Sequence, residues 1–79
     1  SFADLAAEHA AARRLAAVFV RLDEVRRRGA DESKAGALER RLERLYEIVQ
    51  ESDDAPTPQL EEAAAAIEKE LATLATGKH

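Results

Sequence analysis

Residues 26–33 read Arg-Arg-Arg-Gly-Ala-Asp-Glu-Ser, and in that order they end one helix and begin another. Arg26, Arg27 and Arg28 place positive charge on the negative end of a helix dipole. Gly29 suits the left-handed residue that closes a helix, because it has no Cβ to oppose that conformation. Asp31 has the side chain of an N-cap, and Glu32 puts a carboxylate in the next first turn, where it is favoured. A second punctuation follows at residues 52–59, Ser-Asp-Asp-Ala-Pro-Thr-Pro-Gln. Thr57 is its N-cap candidate, and Pro58 fits the first helical position, where a missing N–H costs nothing. Gly77 supplies the last stop. The spacing therefore predicts helices over about 2–28, 32–51 and 58–76, and loops this short favour antiparallel neighbours.

Apolar residues within each segment recur at steps of three and four, the spacing of one helical face. The first helix offers Ala11, Leu15, Val18, Phe19, Leu22 and Val25. The second offers Ala35, Leu38, Leu42, Leu45, Tyr46, Ile48 and Val49, with Tyr46 at its boundary. The third offers Leu60, Ala63, Ala64, Ile67, Leu71, Leu74 and Ala75. Each set covers a stretch of about 22 Å at ~1.5 Å per residue. Three matched stripes predict an all-α fold: a single up-down-up antiparallel three-helix bundle occupying residues 1–79 as one domain. The first helix is extended, because its core stripe begins near Ala11 while the helix begins near Phe2. Asp4 and Glu8 fall on the azimuth of Leu15 and Leu22, and a carboxylate buried there would be costly. The first two turns are therefore expected to project past the core or to cap its end with Leu5.

Composition narrows the function. Twelve basic and sixteen acidic residues give a net charge of −4, which argues against a nucleic-acid binder. The first thirty residues are locally basic, with six arginines against four acids, so an acidic protein surface is a compatible partner. The absence of cysteine removes disulfides and thiolate metal sites. No stretch approaches the ~20 apolar residues of a membrane span, and no signal peptide is expected. Eighteen alanines, together with Leu, Glu and Arg, make the chain rich in helix formers.

The functional clue is a second stripe on the first helix, roughly opposite its core face. Phe2, Ala6, His9, Ala10, Arg13, Ala17 and Val20 share that side, and a core has no use for it. Small residues let a partner approach closely, while Phe2, Arg13 and Val20 are suited to anchor it. The third helix has a weaker version in Ala65, Ala66 and Ala72. The back of the second helix, with Glu39, Arg40, Glu43, Arg44, Glu47 and Gln50, reads as a solvated face of ion pairs. His9 lacks a sequence partner for metal or catalysis, and His79 is terminal. There is no phosphate loop, no Ser/His/Asp arrangement and no paired-histidine motif. The chain is expected to be neither an enzyme nor a cofactor, metal or small-molecule binder. It is expected to meet a protein partner through the first helix; the alternative is a structural scaffold, or a homo-oligomer subunit that self-associates through that helix, with no other ligand.

The matched caps in RRRGADES and SDDAPTPQ, the equal core stripes and the surface of LEEAAAAIEKELATLA resemble de novo designed three-helix bundles across the whole chain. Such agreement between local and global signals is what design aims for. The resemblance implies a soluble helical scaffold used as a compact protein binder or as the subunit of an assembly.

Overall fold

A computed structural model describes residues 10–51 and 58–76. Three helices make up the fold: α1 over Ala10–Arg27, α2 over Glu32–Glu51 and α3 over Pro58–Thr76. All three pairs are in contact, and no strand is present among the described residues. This is the expected all-α three-helix bundle. The start of α1 near Phe2, the carboxylates of Asp4 and Glu8, Leu5, the Thr57 cap and the Gly77 stop lie outside the described residues.

The α1–α2 turn forms as its residues dictate. Gly29 sits at a φ of 90°. Its N–H donates to the carbonyl of Arg26 at 3.0 Å, and the Ala30 N–H reaches back to that of Val25 at 3.2 Å. These two bonds are the Schellman pattern, which satisfies carbonyls that the helix leaves without partners. Ala30 packs on the core beside that turn. One residue later the Asp31 carboxylate accepts the Lys34 N–H at 3.1 Å, capping α2. The chain therefore reverses within a few residues. Arg14 near the start of α1 then lies beside Glu61 near the start of α3, while Arg41 in α2 meets Glu70 in α3. The course is up, down, up.

The core is built from the predicted stripes. Ala11, Leu15, Val18, Leu22 and Val25 are buried on α1; Ala35, Leu38, Leu42 and Val49 on α2; Leu60, Ala64, Ile67 and Leu71 on α3. Phe19, Leu45 and Leu74 pack against them from the edges. Two core assignments fail. Ile48 is 50% exposed. Leu45 already marks the edge of the buried face towards α3, and a step of three residues turns Ile48 about 60° further out. Ala75 is exposed because α1 ends at its level, where Val25 and Arg28 are its neighbours across an open depression. Ala63 is half-buried, and Tyr46 sits at the boundary with its edge exposed, as expected of it.

Candidate protein-contact surfaces

The outer face of α1 is set by helical geometry. At about 100° per residue, Arg13, Ala17, Val20 and Glu24 cluster opposite the direction of Leu15, Val18 and Leu22. Arg13, Ala17 and Val20 are exposed, and Val20 is the most exposed large apolar residue described, at 59%. Ala10 is only half-buried rather than fully outside, since it turns towards the α3 side of the helix. Phe2, Ala6 and His9 lie outside the described residues, so four of the seven predicted contact residues are placed: three on the exposed face and one at its margin.

The seams between helices explain why this face stands apart. Along α1–α3, the Arg14 guanidinium is clamped by two carboxylates. Its Nε and Nη2 donate to Glu61 at 2.9–3.1 Å, and its Nη1 and Nη2 donate to Glu68 at 3.0 and 2.7 Å. Hydrogen bonds to Glu68 and Glu61 push the Arg14 pKa up, and the same bonds hold both carboxyls below their ordinary range. Arg14 belongs to no apolar stripe. Its role follows from the rotation of α1 against α3, which brings together residues 47 and 54 positions apart.

Along α1–α2, Arg26 reaches Glu32 at 2.7 Å and Glu39 at 3.1 Å, and its hydrogen bonds to Glu39 and Glu32 raise its pKa. The arginine triplet thus does more than complement the dipole: Arg26 ties the turn to α2, and Arg27 pairs with Asp23 at 2.6 Å within α1. Glu39 is half-buried for this reason, unlike the solvated Arg40, Glu43, Arg44, Glu47 and Gln50 on the same back face. The expected ion pairs within α2 give way to pairs between helices.

The α2–α3 seam is the most sparsely packed of the three. Among the described residues a single ion pair, Arg41 to Glu70, crosses it. On either side of that bridge lies an open depression. One, of about 270 Å³, is lined by Leu38 and Leu74 among others. The other, of about 190 Å³, is lined by Leu45, Ile48, Ala63 and Ile67. No residue pattern marks this opening, because a stripe reveals a buried face and not how closely its neighbours approach.

The described residues contain no cluster of three or more His, Cys, Asp or Glu side chains placed to hold a metal, and no helix long and apolar enough to cross a membrane. No family model matches the chain, and neither a curated protein nor a solved structure matches it.

Proposed function

We propose that this protein is a non-catalytic helical interaction module that presents the outer face of α1 to a protein partner. The carrying observation is Val20, a β-branched side chain left 59% exposed beside exposed Ala17 and Arg13 on the side of α1 that no other described helix covers. The ion-pair clamps on both flanks of α1 support the reading. They fix the helix on its scaffold, and a preorganised face loses less entropy on binding. The resemblance to designed bundles agrees, since such bundles serve as compact binders or assembly subunits; a de novo origin is part of the same proposal.

One arrangement favours a second reading, self-association. Arg13 lies four residues before Ala17 and Glu24 four after Val20, all on the outer face. An antiparallel second copy centred between Ala17 and Val20 sets each Arg13 opposite Glu24 of the other copy, a self-complementary contact of the kind two-fold dimers require. The Val20→Glu variant tests both readings. It is expected to abolish association with a captured partner, or with itself in sedimentation, while circular dichroism stays unchanged. Undiminished association removes the site. A wild-type chain that stays monomeric across a concentration series removes the self-associating reading alone.

A further inference from the structure

The three seams differ in how they are finished. Arg14 and its two carboxylates close α1–α3, and Arg26 with Glu32 and Glu39 closes α1–α2. The α2–α3 seam has one ion-pair bridge among the described residues, with an apolar depression above and below it. Its floor is Leu38, Leu45, Ile48, Ala63, Ile67 and Leu74. Ile48 is half-exposed there, and no described helix covers it.

The rim carries a definite charge. On the α2 side it is basic throughout: Lys34, Arg41 and Arg44. On the α3 side the acid lining the depressions is Glu70, and it is engaged by Arg41. Lys34 and Arg44 have no side-chain ion-pair partner among the described residues. A second copy that packs its α2 antiparallel on this α2, about a two-fold axis across the helices, would set basic rim near basic rim, which disfavours it.

We infer that the α2–α3 seam is a docking groove for an acidic amphipathic helix, which completes the bundle as a fourth helix. The spacing specifies the ligand. Leu38 and Leu45 are seven residues apart on α2, so the two depressions are separated by ~10.5 Å along the axis. A partner helix lying along the seam fills them with bulky apolar side chains at positions i and i+7, the anchor pattern of helix-in-groove recognition. A small residue between the anchors passes over the Arg41–Glu70 bridge. Lys34 and Arg44 are ten residues apart, ~15 Å, so acids flanking the two anchors on one side meet both cations. This groove is independent of the outer face of α1.

The test uses the full chain and a fluorescein-labelled helical peptide of about 18 residues, long enough to hold helix in water. The peptide carries Leu at i and i+7, Ala between them and Glu on the flank. A second peptide replaces each Glu with Lys. Anisotropy is expected to show saturable binding of the Glu peptide, weakened by salt, and none of the Lys peptide. Ile48→Glu and the pair Lys34→Glu/Arg44→Glu are each expected to weaken binding about tenfold or more. All three positions are exposed, and circular dichroism checks that these variants fold. Absence of binding up to ~1 mM overturns the proposal. So does equal binding of the two peptides, binding indifferent to Ile48→Glu, or wild-type self-association that Ile48→Glu abolishes.

Discussion

One substitution, glycine to alanine, is expected to act with opposite sign at two positions seven residues apart: Gly29, in the turn, and Gly36, inside α2. Gly36 lies inside α2, where glycine is less stable than alanine by about 0.5–1 kcal/mol because it surrenders more backbone freedom. The structure has room for the methyl group. A Cβ there meets Arg40 Nη1 at 3.7 Å and Arg26 Nη2 at 3.9 Å, both ordinary van der Waals distances. Gly36→Ala therefore gains most of that difference. A domain of this size shifts its Tm by about 4–8 °C per kcal/mol, so the expected rise is about 2–8 °C. At Gly29 the space is also open, with nothing within 4 Å of an added Cβ, yet φ is +90°. The left-handed conformation costs an L residue about 1–2 kcal/mol, and the stiffer unfolded chain recovers only part of it. Gly29→Ala is expected to lower Tm by roughly 4–8 °C, a net loss near 1 kcal/mol. Thermal melts followed by far-UV circular dichroism, with both variants in one buffer, read the two signs directly. A rise in Tm for Gly29→Ala would refute the Schellman turn. A fall for Gly36→Ala would show that the Arg26 fork cannot tolerate a methyl group beside it.

Acid should weaken the α1–α3 clamp. Arg14 holds the carboxyls of Glu61 and Glu68 below their ordinary value of 4.5 in the folded chain. Their contribution to stability is then complete above about that value and is lost as the pH falls through the lowered folded-state values. Urea unfolding at neutral pH and at pH values below the ordinary carboxylate range is expected to show a smaller acid loss in Arg14→Met than in wild type. Equal losses would mean that the clamp does not form in solution. The core and the seam make a second contrast. Leu42 is fully buried, and Leu42→Ala is expected to cost about 2–5 kcal/mol; Ile48→Ala, at an exposed site, should stay within ~0.5 kcal/mol. Chemical denaturation distinguishes them, and comparable losses would place Ile48 in the core after all.

What was legible in the sequence depended on how local the physics is. The turn at residues 26–33 could be read because the Schellman bonds and the Asp31 cap each join groups at most five residues apart. The buried faces could be read because helical periodicity is a property of one segment. Ile48 and Ala75 were misassigned because periodicity gives the direction of a face and not its width or end; those depend on how near α3 lies and where α1 stops. The Arg14 clamp was invisible for the same reason in charged form. Nothing about Arg14, Glu61 or Glu68 marks them as partners until the rotation of α1 against α3 is known. Of the seven candidate contact residues, the exposure of three, Arg13, Ala17 and Val20, was legible, since the azimuth opposite a core stripe is fixed once the stripe is fixed. The α2–α3 groove was not.

The two proposed surfaces face opposite ways, and that follows from the fold. In a bundle of three mutually contacting helices, the direction away from the core on α1 is also the direction away from the α2–α3 seam. Val20 and Ile48 are thus separated by the core itself, with helix axes ~8–10 Å apart on the way. Substitutions at such distances that share no partner act additively. Val20→Glu cannot disturb a helix lying against Ile48 by contact, nor can Ile48→Glu disturb a partner on α1. A partner on one side leaves the other free, so a chain with both surfaces can bridge two proteins, and each surface can be judged by its own variant. The clamps at Arg14 and Arg26 add the remaining condition. They hold α1 to α3 and to α2 but leave α2 and α3, beyond their shared core, with one exposed ion pair among the described residues, so the seam that a fourth helix would enter is also the one whose closure costs the fold least to forgo.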